Sequence, residues 1–380
     1  MSLPVRTFRA EGFRSLRALS YPMSGLDVFV GGNGVGKTNL YRALALLQSA
    51  AANTLARDLA WDGGLSAAFW AGTRPRKKPP VIRLAASFEV PTRQRTHYEY
   101  EVVVGFPQST AAAFDGEPQI KAETVTLVSG GRPVRLLERK GPSVMARNEA
   151  GRPVEIELDL LNSETVLGRL EDPARYPELQ AIRHTLLQWR FYHDLRTDAG
   201  SPMRQPCPAV ATPTLASDGA DLAAVFATLA YIRGDKTELD AAIERAFPGA
   251  RLVVPQPEGT ASFGLVYPEF PQRVFEAREL SDGTLRFLAL VGALLAYRLP
   301  PFIALNEPEA SLHPDLMAPL AQLIAQAAGR TQLWLVAHST QLADALIESG
   351  IGQARQVYKA AGATLIEGLT AWGDFDEDED

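Results

Sequence analysis

Cysteine is nearly absent from this chain: Cys207 is the single one in 380 residues. That excludes a disulfide framework and a cysteine-built metal site, and a reducing compartment is the natural reading. Long apolar runs are missing as well. The longest, Phe287 to Tyr297, stops at Arg298 and is too short to span a bilayer, and the opening MSLPVRTFRAEGF has no apolar leader core. The expectation is a soluble, cytoplasmic protein with no membrane partner. A basic excess is lacking too. The formal charge is −6, and six acids lie in the last seven residues, Asp374 to Asp380, so the remainder is close to neutral. A nucleic-acid partner would then need a local basic face. The candidate is Arg74, Arg76, Lys77 and Lys78, bounded by prolines, for which a solvated loop is the plainer account. Internal repeats and sustained heptads are absent, which argues against coiled-coil arms.

What is present is ordinary globular material, 46% hydrophobic and 22% charged, long enough for two domains or one with a large insertion. Its most informative stretch is Gly31 to Asn39, GGNGVGKTN, which fits G-x-x-x-x-G-K-[ST] at Gly31, Gly36, Lys37 and Thr38. An apolar run, Asp27 to Val30, precedes it, and an amphipathic run with Leu40, Ala43, Leu44 and Leu47 at helical spacing follows. A Gly-rich turn between strand and helix points backbone N–H groups at a triphosphate and adds the positive end of the helix. Lys37 would reach the β- and γ-phosphates, and the Thr38 hydroxyl would ligate Mg²⁺. The required flanks separate this match from chance in a Gly-rich turn. The motif announces an NTP without saying what the NTP is for.

Along the chain, Thr7 to Leu19 reads as a short strand pair, and Lys37 to about Ala52 as a helix. Trp61 to Pro80 reads as loop. Val81–Val90, His97–Val104, Ile120–Val128 and Val154–Leu158 read as strands of an antiparallel layer. Glu164 to Leu187 is helical in pattern, Trp189–Tyr192 strand-like, and the Pro-rich piece around Cys207 an irregular connection. Asp221–Tyr231 and Thr237–Phe247 read as helices, and Phe263–Tyr267 as a strand.

A second cluster follows. Ser281, Asp282 and Gly283 open a helix carrying Leu285, Leu288, Ala289, Gly292, Leu295 and Ala296 at helical spacing. A helix start of this kind suits an anionic phosphate, and equally suits simple N-capping by Ser281. Next, the apolar strand Pro301 to Leu305 ends in Asn306-Glu307-Pro308-Glu309, where a carboxylate would face a nucleotide bound at the strands' carboxyl ends. Ser311 to Pro314, a helix from Asp315 to about Ala328, and the strand Leu333 to Val336 lead to Ala337-His338-Ser339. Singly, Glu307 is a loop acid and His338 a loop histidine. Their order is the informative part.

In that order the chain resembles the ABC-type ATPase heads of the RecF/SMC class, and among them the compact OLD-like predicted ATPases of AAA type. Specific motifs cover about residues 1–60 and 275–345. Gly31, Asn33, Gly34, Gly36, Lys37 and Thr38, with the adjoining Asn39, resemble Walker A. Ser281, Asp282 and Gly283 resemble the signature motif, which in this class acts on the nucleotide of the opposite subunit. Leu305 to Glu307 resemble Walker B, with Glu307 as general base, Ser311 to Pro314 hold the D-loop position, and His338 that of the switch histidine. Phe13-Arg14-Ser15 resembles the early strand motif whose side chains approach the nucleotide. One departure stands out: the usual Walker B aspartate is Asn306, which keeps an oxygen but drops a charge beside a hard cation, so metal affinity should fall.

The resemblance implies ATP and Mg²⁺ as ligands, catalysis by Lys37, Glu307 and His338, metal contacts through Thr38 and Asn306, and an ATP-dependent head-to-tail homodimer. Its process would be DNA repair, maintenance or defence. The rival reading is a nucleotide-dependent regulator or scaffold for a separately encoded effector, with little ATP turnover. A transporter ATPase fits the β/α insertion poorly. The expected architecture is an α/β P-loop head built from 1–105 and 270–370, mainly parallel with an antiparallel β layer, an inserted α+β lid at 106–269, and an acidic disordered tail at 371–380. The tail would mimic nucleic acid or, more plainly, be a solvating run.

Overall fold

The computed structural model describes residues 2–73, 79–107, 114, 116–148, 150–350, 353–370 and 373–375. The basic group Arg74, Arg76, Lys77 and Lys78 and the tail residues Asp376 to Asp380 lie outside the described residues. Two compact units divide the chain: Met1–Ser24, Gly31–Trp189 and Arg355–Asp380 make the first, and Gly25–Val30 with Arg190–Ala354 the second.

The first unit is organised on an eight-stranded antiparallel sheet. Its order is Leu16–Pro22, Val5–Phe13, Val81–Glu89, Thr96–Gly105, Gln119–Ser129, Arg132–Lys140, Ser143–Arg147 and Pro153–Glu155. Alternation fixes the register, as in Val5–Phe13, where Phe8, Ala10 and Phe13 are buried and Arg9 and Glu11 exposed. The helix Lys37–Ala51 buries Leu40, Tyr41, Ala43, Leu44, Leu47 and Ala50 against Val5–Phe13, Val81–Glu89 and the helix Pro177–Leu187. Gln48 on it donates to the carbonyls of Leu186 and Trp189 at 3.2 and 2.8 Å, closing the end of that second helix. A C-terminal hairpin, Ala354–Ala360 with Ala363–Ile366, lies beside Leu16–Pro22.

The second unit carries the parallel strands. Arg190–Tyr192, Phe302–Asn306, Gln332–Val336 and Leu26–Val30 pair side by side in that order, all parallel. Phe302–Asn306 is buried at every position, as expected of a central strand covered on both faces. Helices Leu222–Thr228, Thr237–Ala246, Asp282–Leu294, Met317–Ala328 and Thr340–Glu348 supply the rest of one hydrophobic core. Gly292 serves close helix packing, since a Cβ there would stand 2.5 Å from Leu222 Cδ1.

The α/β class holds with differences of detail. The antiparallel layer outnumbers the parallel strands. Trp61 to Pro80, read as loop, begins with the end of one helix, Leu55–Trp61, and contains another, Gly64–Ala68. Arg132–Lys140 and Ser143–Arg147 went unread because the first of them, RPVRLLERK, is mostly exposed and charged, and only cross-strand pairing makes it a strand. Among the described residues no helix is long and apolar enough to cross a membrane.

Candidate nucleotide site

In the chain the strand Leu26–Val30 is followed by the Gly-rich turn, which belongs to the first unit, and the helix starts at Lys37 with Gly36 as its N-cap in the left-handed region, φ 103°. Only glycine fits there. A Cβ on Gly36 would stand 1.9 Å from Thr364 Oγ1 and 2.4 Å from Ser15 Oγ, and one on Gly31 would stand 2.3 Å from the Val357 carbonyl. The turn is therefore braced from behind. Thr364 Oγ1 donates to the Val35 carbonyl at 2.7 Å and lies 2.6 Å from Ser15 Oγ, while Asn39 Nδ2 donates to Ser15 Oγ at 2.7 Å. Asn39 and Ser15, expected near the nucleotide, thus act inside the brace. Lys37 is buried, its Nζ donating to the carbonyls of Gly31 and Gly32. Asn33 and Gly34 are exposed on the turn, and Thr38 is half-buried at the helix start.

Arg14 has φ 48°, and its guanidinium pairs with Asp62 at 2.5 Å and lies 5.5 Å from the centroid of the Phe13 ring. Asp62 also takes Arg42 at 2.6 Å.

The second unit brings Asn306, Glu307 and His338 together at the carboxyl ends of two adjacent strands. Asn306, the last residue of Phe302–Asn306, is 3% exposed. Its Nδ2 donates to His193 Nδ1 at 2.9 Å, and its Oδ1 is buried with no hydrogen-bond partner. Glu307 follows in the left-handed region, φ 51°, its N–H held by the Val336 carbonyl at 2.7 Å. A non-glycine residue in that region is strained, and such strain gathers at functional sites. The bend turns the Glu307 carboxylate to His338, with Oε1 3.5 Å from Nε2. His338 is seated by Glu309, whose Oε1 accepts the N–H groups of His338 and Ser339 at 2.5 and 2.8 Å. Behind the bend, Arg286 donates to the carbonyls of Glu307 and Pro308 at 3.0 and 3.3 Å. Burial pushes the Arg286 guanidinium down, and Glu309, Asp194 and Glu307 pull it back up.

Ser281 caps Asp282–Leu294, its Oγ accepting from Thr284 N at 3.2 Å, so capping is real at this helix start. Asp282 is paired with Arg204 at 2.6 Å. Gly283 backs onto Ser311, whose φ is 64°: a Cβ on Gly283 would stand 2.9 Å from the Ser311 carbonyl.

The turn and helix start of the first unit suit a nucleotide. The helix Lys37–Ala51 has fifteen residues, no side-chain cap and no acid in its first turn, leaving its N-terminal amides and positive end to an anion. Among the described residues no group of three or more His, Cys, Asp or Glu side chains could hold a metal, so a cation would rest chiefly on phosphate and water oxygens. Sequence reasoning missed His193, Arg204, Arg286, Glu309 and Thr364. Glu309 alone had a local signal, two residues beyond Glu307 in the same turn.

Solved structures with this fold include an Smc head bound to the C-winged helix domain of ScpA, at 17% identity, TM-score 0.50, covering 96% of each chain. Another is the Pyrococcus furiosus Smc head domain with an extended coiled coil bound to the C-terminal domain of ScpA, at 14% identity and TM-score 0.50, covering 96% of this chain and 95% of that one. No curated protein matches the chain in sequence. The fold is that of an Smc head domain. In sequence, residues 28–129 and 170–344 match the family described as "AAA domain, putative AbiEii toxin, Type IV TA system". With a match over most of its length, the chain belongs to this AAA-domain family.

Proposed function

We propose that the protein hydrolyses ATP and that two copies pair head-to-tail around two nucleotides. The observation that carries this reading is the Glu307–His338 pair. Two adjacent parallel strands end in a strained carboxylate and an imidazole 3.5 Å apart, the arrangement of a base and a polar group that could hold an attacking water. Lys37 and the amides of the turn would neutralise phosphate charge as it develops. Thr38 and Asn306 would help to hold a Mg²⁺ ion arriving with the nucleotide, which would supply further charge neutralisation. Glu307 would take the proton of the water and His338 would hold its orientation, while Ser281 and Gly283 would act on the nucleotide of the second copy. Phosphate release assays test the assignment: Lys37→Ala should lose nucleotide binding, whereas Glu307→Gln should keep binding and lose turnover.

A second reading is favoured by Asn306, a neutral amide at the position where the resemblance leads one to expect the Walker B aspartate, whose charge would strengthen metal binding. In it the protein is a nucleotide-dependent clamp or regulator of a separately encoded effector, turning over little ATP. For the process served, we infer DNA maintenance or defence, with DNA or that effector as partner. The likeness to Smc heads and the family's toxin–antitoxin description support both. A DNA shift assay across salt, with and without ATP, separates them: a DNA clamp loses affinity steeply with salt and gains it with ATP.

A further inference from the structure

Arg204 lies far in sequence from every motif, yet it is the most heavily bonded cation near the helix start at Ser281. It ends the turn Pro202–Arg204, and its side chain is 8% exposed. The turn is fixed by Ser201, fully buried, whose Oγ donates to the Arg196 carbonyl at 2.5 Å and accepts from Met203 N at 3.2 Å. From it Arg204 Nε donates to the carbonyls of Thr197 and Asp198 at 2.8 and 3.2 Å. Nη1 reaches the carbonyls of Ala277, Arg278 and Leu280 at 3.2, 3.2 and 2.7 Å, and Nη2 the Asp282 carboxylate at 2.6 Å.

Those last four acceptors all flank one segment. Ala277, Arg278 and Leu280 form the tight turn that delivers the chain to Ser281, and Asp282 is the first residue of the helix. Without Arg204, three of its carbonyls would lose a charged donor. The bond to Asp282 matters less, because that carboxylate is 60% exposed and its ion pair is screened. The planar fork of arginine meets several acceptors at once, which the single point charge of lysine does not.

We propose that Arg204 is a positioning residue for Ser281–Gly283, setting the angle at which this helix start meets the nucleotide of a second copy. The proposal rests on the head-to-tail reading above. Its consequence is selective: loss of Arg204 leaves the protein's own phosphate-binding turn working and disables what the protein offers its partner.

The test uses the full chain with Arg204→Met, and Arg204→Lys in case the first does not fold. Three readouts are taken: binding of a fluorescent ATP analogue, light scattering with ATP and Mg²⁺, and amide exchange at Thr284 and Leu285, whose N–H groups bond Ser281. Expected are unchanged analogue binding, dimerisation weakened by about tenfold or more, and exchange at those amides faster by about tenfold, the equivalent of one lost charged bond. Mixing Arg204→Met with Lys37→Ala should give more dimer than either variant alone, because the mixed pair keeps one site with an intact turn and an intact Ser281 segment. Unchanged exchange in the variant, unchanged dimerisation, or lost analogue binding would each overturn the proposal. A wild type that stays monomeric with ATP would refute the head-to-tail reading instead, and the exchange readout would still decide whether Arg204 holds the segment.

Discussion

Replacing Asn306 by aspartate should leave the metal-free protein less stable and make its stability depend strongly on magnesium. The side chain is 3% exposed, so a carboxylate there is cut off from water. Its Nδ2 now donates to His193 Nδ1, and an oxygen in that place faces the same ring nitrogen without a proton to offer. Losing the bond costs about 1 kcal/mol. Burying the charge adds several kcal/mol, reduced as His193 turns a proton toward it, so a net loss of roughly 2–4 kcal/mol is expected. Mg·ATP should return most of this, since a ligand at a hundred times its Kd stabilises by about 2.7 kcal/mol. The assay is urea unfolding of wild type and Asn306→Asp in EDTA, in Mg²⁺, in ATP and in Mg·ATP, with phosphate release measured alongside. The variant should be weakest in EDTA, gain more from Mg·ATP than wild type, and hydrolyse faster. Equal stability in EDTA with no added magnesium dependence would refute the placement of Asn306 beside the cation.

Gly36→Ala should abolish ATP binding and destabilise the protein. The left-handed backbone costs roughly 1–2 kcal/mol and the clash with Thr364 and Ser15 about 1–3 kcal/mol more, measurable by analogue binding and urea unfolding. Thr364→Val removes the hydrogen bonds to Val35 and Ser15 at nearly constant shape, so stability should fall by about 2 kcal/mol and ATP affinity with it. Unaltered ATP affinity would show that the brace is not needed. Glu309→Ala strands the N–H groups of His338 and Ser339 at about 1–3 kcal/mol each, so turnover should fall with ATP binding kept, and Glu309→Gln, which retains an acceptor, should behave much closer to wild type.

Much of the fold was legible because its signals are local. The strand–turn–helix around Lys37, the buried strand ending at Asn306 and the helix opened by Ser281 each announce themselves within a few residues. What sequence reading missed is held by contacts that join distant segments. Thr364 braces a turn more than three hundred residues earlier, Arg204 reaches forward to Leu280, and His193 fixes the amide of Asn306. None of the three carries a pattern of its own. Arg14 shows the reverse: its motif was plain, yet Asp62, which no local rule links to it, takes the guanidinium. Ser15 likewise proved to be part of a hydroxyl chain behind the turn.

The central claim is that ATP closes two copies on one another and that Glu307 opens them by hydrolysis. Light scattering of wild type and Glu307→Gln, each with and without ATP and Mg²⁺, tests it most directly, with turnover of the variant expected to fall about 10²–10⁴-fold. A mass doubled by Mg·ATP, transient in wild type and lasting in Glu307→Gln, is the predicted result. A variant that stays monomeric in Mg·ATP, or turns over ATP at the wild-type rate, would contradict it.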